Sequence, residues 1–116
     1  MKHKLLVIIF VFITNIINAK PTATYYCCKF NGRLTASGEI FNENKLTAAH
    51  KTLPLGMYVK VINIHNDKTI IVKINDRLPK TSKVLIDLSK YAFEKIASLD
   101  KGIIYIKLEI INLNPF

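Results

Sequence analysis

The chain has 116 residues and carries 17 Lys and Arg against 8 Asp and Glu, a formal net charge of +9. That length supports one hydrophobic core and is too short for two. The only cysteines, Cys27 and Cys28, are adjacent, which excludes a disulfide scaffold, because an ordinary bridge wants the two Cα atoms ~5.5 Å apart. Two neighbouring thiols also lack the spacing of a zinc ligand set; they read as small, apolar strand residues. The lysines are scattered singly among apolar residues, so the charge points to an anionic partner but away from nucleic acid, which selects clustered positive charge.

In chain order, Lys2 and Lys4 precede an apolar run from Leu5 to Ile13, and a polar stretch then ends in Ala19. This is the pattern of a secretory signal peptide. A spanning helix needs about 20 apolar residues, and here Thr14, Asn15 and Asn18 interrupt the run. Cleavage after Ala19 leaves one domain over residues 20–116, with 15 basic and 8 acidic residues and a net charge of +7. The expectation is a monomeric protein, exported to the periplasm or cell envelope, with no stable membrane insertion after signal removal. In that compartment the cell wall is the anionic partner.

Strand signals dominate the rest. Thr22 to Lys29 is rich in Tyr, Thr and Cys; Met57 to Ile64 and Thr69 to Ile74 are rich in Val and Ile and flank the turn cluster His65-Asn66-Asp67-Lys68, which predicts a hairpin. Ile103 to Ile111 alternates, with Tyr105, Lys107 and Glu109 on one face and Ile104, Ile106, Leu108 and Ile110 on the other. After Asp87 or Ser89 as N-cap, Tyr91, Ala92, Ile96 and Leu99 recur at helical spacing up to Gly102. Residues 31–44 and 75–83 read as polar loops. Many short strands with one helix predict an all-β fold closed into a small barrel, because closure removes the apolar edges.

Three segments concentrate polar side chains: Gly32-Arg33-Leu34-Thr35-Ala36-Ser37-Gly38-Glu39, Leu46-Thr47-Ala48-Ala49-His50-Lys51-Thr52-Leu53-Pro54-Leu55-Gly56, and Ile74-Asn75-Asp76-Arg77. With Val84-Leu85-Ile86-Asp87-Leu88-Ser89 and Ala92-Phe93, they make the chain closely resemble the rare lipoprotein A family across nearly all of residues 23–111. The Asp87-Leu88-Ser89 stretch also resembles expansins and barwin-like proteins. The resemblance implies a six-stranded double-psi β-barrel with one or two short helices and a glycan groove. It further implies a peptidoglycan lytic transglycosylase that prefers peptide-stripped glycan strands and leaves 1,6-anhydro ends. The family's functional positions fall on Glu39, His50 and Asp76. The family pattern is broken by Leu78, where glycine is usual, by Asn42, where aspartate is common, and by the cysteine pair.

Glycosidic cleavage needs a proton donor to the leaving oxygen and negative charge near an oxocarbenium-like transition state, tasks that carboxylates share. When the sugar's own 6-hydroxyl attacks, one residue can donate a proton and later accept one. Asp76, at the end of a predicted strand, is the first choice for that acid, with Glu39 as a second carboxylate and His50 to orient them. The neighbouring Arg77 works against a raised acid, since an adjacent cation lowers an Asp. Thr35, Ser37, Asn75 and Arg77 are candidate glycan-binding side chains. Of Tyr25 and Tyr26, alternation turns one inward, so at most one stacks on sugar, and Tyr25 is the candidate. No metal or organic cofactor is expected, because neither His50 nor His65 has a second ligand at useful spacing. The alternative to an enzyme is a non-catalytic peptidoglycan-binding or expansin-like wall-loosening module.

Overall fold

The computed structural model describes residues 20–26 and 28–111. The signal-like segment 1–19, Cys27 and residues 112–116 lie outside them, and so does the expectation for the cysteine pair. Six strands are formed: β1 (Lys20–Tyr25), β2 (Thr47–His50), β3 (Tyr58–Asn63), β4 (Thr69–Arg77), β5 (Val84–Leu88) and β6 (Ile104–Ile111). They close in the order β1-β5-β2-β4-β3-β6. β1 runs parallel to β5 and β2 parallel to β4, while the other four pairings are antiparallel. One helix, α1 (Lys90–Ile96), and two short 3-10 turns, Cys28–Phe30 and Leu99–Lys101, complete the fold. Among the described residues no helix is long and apolar enough to cross a membrane.

Alternation within the strands decides which side faces the interior. Val59 and Val61 of β3, Val72 and Ile74 of β4, Ile86 and Leu88 of β5, and Ile104 and Ile106 of β6 fill the barrel with Ala23 and Ala48. Each fully buried Val, Leu or Ile contributes roughly 1.5–3 kcal/mol relative to exposure. α1 closes one end by inserting Ala92, Phe93 and Ile96, all with no exposed surface. Ser89 is its N-cap and accepts from the Ala92 N–H, while the buried Asn63 of β3 donates Nδ2–H to the Ile96 carbonyl at 2.8 Å. The helix therefore stops at Ile96 instead of running to Gly102, and Leu99 belongs to a separate turn.

Three further boundaries differ from the sequence reading. β1 ends at Tyr25, so Cys28 opens a 3-10 turn instead of extending a strand. Asn75, Asp76 and Arg77 continue β4 and are not part of a loop, because pairing with β2 holds them. At the far end of β6 the alternation fades and Ile110 is 63% exposed. The predicted hairpin is present as β3–β4, with Asp67 at φ 61° in its turn.

Candidate active site

β2 lies between β5 and β4, and its Ala49 pairs with Asp87 on one side and Asp76 on the other. β1 extends the row, since Thr24 pairs with Asp87. Cross-strand partners point to one face, and the neighbours Ala23, Ala48 and Ile86 are in the interior. Thr24, Asp87, Ala49 and Asp76 thus form a row across four strands on the outer wall. Two strand spacings place the Cα atoms of the two acids ~10 Å apart, with the buried Ala49 between them, packed with Tyr26 and Phe41.

A slip in register creates the Asp76 position. Ile74 pairs with Ala48 and Asp76 with Ala49, so Asn75 is an extra residue in β4. Such a bulge re-aims the side chain that follows it: Asn75 is buried and Asp76 turns outward. The loop joining Leu34 to Ile40, a bridged pair, docks onto this bulge. Its Ser37 N–H donates to the Asn75 carbonyl at 3.1 Å and its Ala36 N–H to Asp76 Oδ1 at 3.0 Å. Gly38, at φ 87°, allows the tight return that brings Thr35 Oγ1 to the Glu39 carbonyl at 3.0 Å.

Asp76 is the hub. Oδ1 also accepts the Arg77 N–H at 2.9 Å, and Oδ2 accepts the Tyr26 hydroxyl at 3.1 Å. Tyr26 is buried, stacked on Phe41 with centroids 4.6 Å apart and met edge-on by Phe30. Burial first, and then the negative charges of Asp76 and Asp87, push its phenol well above the ordinary tyrosine range, so it stays a donor. Leu78 packs against the same Tyr26–Phe41–Ala49 cluster, which gives the unexpected leucine an apolar role beside the site.

Asp87 has the opposite surroundings. The only hydrogen-bond partner of its carboxyl among the described residues is Thr24, whose Oγ1 donates to Oδ1 at 2.9 Å. Burial pushes its carboxyl up to about 6, the Thr24 bond works against the rise, and the charge of Asp76 adds to it. A carboxylic acid in that range is suited to proton transfer near neutral pH. Sequence reasoning did not choose Asp87 as a site residue, because beside Ser89 it read as a helix cap; its place in the Asp87-Leu88-Ser89 motif was the available signal.

Glu39 reaches the same wall from the docked loop. Its Oε2 pairs with Lys73 Nζ at 3.0 Å and its Oε1 accepts from Ser37 Oγ at 3.1 Å. Lys73 pairs with Thr47, two residues before Ala49. The Lys73 contact, aided by Ser37, holds the exposed Glu39 below the usual carboxylate range. The remaining expected residues are scattered. His50 follows Ala49 and shares the interior face with Ala48, opposite to the acids. Its Nδ1 accepts the N–H groups of Thr52 and Leu53, both at 3.1 Å, and burial followed by the charges of Arg77 and Lys51 lowers its pKa, favouring a neutral ring. It shapes the turn after β2 and touches neither acid.

Arg77 aims its Nη1 at the carbonyls of His50 and Leu53, so its charge points away from Asp76. Thr35 is buried and bonded within its loop, Ser37 bridges Thr35 and Glu39, and Asn75 is buried. Tyr25 packs on Phe93 and donates to the Leu99 carbonyl at 3.2 Å. The sugar-stacking role expected of it has no support here, because β1 turns its ring toward the helix end of the barrel while Tyr26 goes to the acids. Among the described residues no three His, Cys, Asp or Glu side chains gather as a metal site would require.

Six strands closed through two parallel pairs, with acids in a row across the outer wall, define a double-psi β-barrel. The family model described as lytic transglycolase matches residues 18–108, and the chain belongs to that family. It is 50% identical over 92 residues to the endolytic peptidoglycan transglycosylase RlpA of Pasteurella multocida, covering 79% of this chain and 31% of that protein. The protein of the same name from Haemophilus influenzae is 47% identical over 91 residues, covering 78% and 32%. The chain thus spans about a third of the length of these relatives. Among solved structures, Streptomyces papain inhibitor matches with TM-score 0.64 and 28% identity over 78% of this chain and 91% of that one. An expansin of Clavibacter michiganensis, at 17% identity and TM-score 0.65 over 82% and 50%, shares the fold. The resemblance to rare lipoprotein A read from the motifs holds.

Proposed function

We propose that this protein is exported to the cell envelope and cleaves peptidoglycan glycan strands as a lytic transglycosylase, with Asp87 as the proton carrier and Asp76 as its fixed negative partner. The observation that carries this reading is the pair of acids flanking Ala49 in one row, one rich in donors and one nearly bare. An acid raised by burial, beside a carboxylate held by donors, supplies the proton and the charge that glycosidic cleavage needs. The relatives' name, endolytic peptidoglycan transglycosylase, supplies the substrate class. The signal-like residues 1–19 and the basic charge support export and an anionic wall.

In this mechanism the Asp87 carboxyl donates its proton to the glycosidic oxygen as the C1–O bond breaks. The charge of Asp76 favours the oxocarbenium-like carbon. The 6-hydroxyl of the same sugar then attacks C1 and gives its proton to the Asp87 carboxylate, closing the 1,6-anhydro ring and restoring the acid without consuming water. Tyr26 and the Ala36 and Arg77 amides hold Asp76 in place, so no reorganisation is needed when charge develops. Glu39 stands beside this wall on the docked loop, paired with Lys73.

One observation favours a second reading, a wall-binding module that does not cut. Asp76 Oδ1 is taken by two backbone amides, a pattern that also serves simply to fasten the 34–40 loop. The deciding experiment incubates the protein, freed of residues 1–19, with peptide-stripped peptidoglycan and looks for anhydro-muramic ends by mass spectrometry. Their formation supports the enzyme; tight binding without them supports the module.

A further inference from the structure

We infer that the wall built by β6, β1 and β5 carries a second saccharide platform, centred on Tyr105, that grips the carboxylate-bearing continuation of the glycan strand engaged at Asp87. This rests on the peptidoglycan reading above. Tyr105 is 52% exposed and pairs with Thr22 of β1, two residues before Thr24, so it extends the outer wall that carries the row of acids. His65 meets its ring nearly at right angles, at 6.2 Å between centroids, and braces it. An exposed aromatic ring fixed in this way offers a flat apolar surface to the C–H face of a sugar at little entropic cost.

Tyr105 borders two depressions. One, of about 230 Å³, lies over the starts of β1 and β5 with Lys20, Thr22, Lys83 and Val84 in its lining. The other, of about 440 Å³, runs toward the β3–β4 turn and the second 3-10 turn, with Asn66, Ser98 and Lys101. Ile103, Ile104 and Tyr105 line both. The larger lies within the roughly 300–1,000 Å³ typical of ligand clefts. Neither lining contains an acid among the described residues, while three lysines stand at their rims. Peptide-stripped glycan carries a carboxylate on every second sugar, which matches lysines set beside a stacking ring. Lys83, just before β5, is four residues from Asp87 and on the same side by alternation, about 13 Å at strand rise, so one extended glycan strand can reach both places.

The test measures binding of peptide-stripped peptidoglycan strands and of uncharged chitin oligosaccharides by sedimentation and calorimetry, alongside release of anhydro ends. Tyr105→Ala is expected to weaken binding of long stripped strands about tenfold, with Tyr105→Phe close to the unaltered protein. Lys20→Glu with Lys83→Glu should weaken the stripped strands about tenfold and leave chitin oligosaccharides within about twofold, because only the former carry charge. Cleavage of the shortest strands that are still cut should persist in all three variants. If Tyr105→Ala binds long strands as the unaltered protein does, the platform is refuted, whatever the activity. An unaltered protein that binds long strands through Tyr105 but releases no anhydro ends sinks the cleavage reading and leaves the platform standing. Failure of the unaltered protein to bind either glycan overturns both.

Discussion

Asp76 and Asp87 flank the same alanine, yet the regions around them are built in opposite ways. Around Asp76 a bulge, a docked loop and a buried tyrosine converge with three donors on one carboxylate. Around Asp87 a regular strand and a single threonine leave the carboxyl half-buried and underpartnered, raised to about 6. The residue type does not set the role; the supply of donors and water does.

The sharpest way to break this contrast is Asp87→Asn. An amide keeps the shape but carries no transferable proton, so anhydro-product formation should fall about 10²- to 10⁴-fold in single-turnover assays, with the melting temperature unchanged or raised. Asp76→Asn should also cut the rate, by about 10²-fold, but with a stability loss of about 1–3 kcal/mol, since the amide presents donors to partners that are themselves donors. It should also move the loss of activity on the alkaline side to lower pH, because the Asp76 charge helps hold Asp87 protonated. A rate profile that stays in place in Asp76→Asn would sink the proposed coupling.

Stability against pH sharpens the comparison further. The folded pKa of Asp87 lies above its unfolded value of ~3.9, so the folded state binds more protons and loses stability as pH rises from about 4 to about 6, by up to roughly 3 kcal/mol. Urea midpoints across that range should carry this slope in the unaltered protein and lose it in Asp87→Asn. His50 acts with the opposite sign, since its lowered pKa means that stability falls as pH drops below its unfolded value of ~6.5. His50→Ala should cost about 1–2 kcal/mol by unpairing the Thr52 and Leu53 amides, with activity falling only in step with folding. The smallest effect belongs to Glu39→Gln: less than a tenfold loss of rate and a nearly unchanged melting temperature, as suits an exposed ion pair.

Much of the barrel was legible because β3, β4 and β6 alternate and because several motifs stood in order. β2 and β5 were not read as strands. All four residues of β2 are buried, so Thr47-Ala48-Ala49-His50 shows no period of two, and β5 has only five residues. The site suffered more than the fold. Asp76 was found from its motif, but its meeting with Asp87 depends on β2 inserting between two strands that are not its neighbours in sequence, which leaves no local trace. His50, next to Ala49 in the chain, was grouped with the acids, and strand alternation puts it on the other side of the sheet.

The strand order also governs timing. Residues 24, 49, 76 and 87 meet in one row, and the barrel closes only when β6 joins β1 to β3. Pairings this distant form late and slowly, so a nascent or translocating chain holds the acids apart until almost its whole length is free to fold. For a protein proposed to cut the wall of the cell that makes it, the paired acids therefore come together only as the barrel folds.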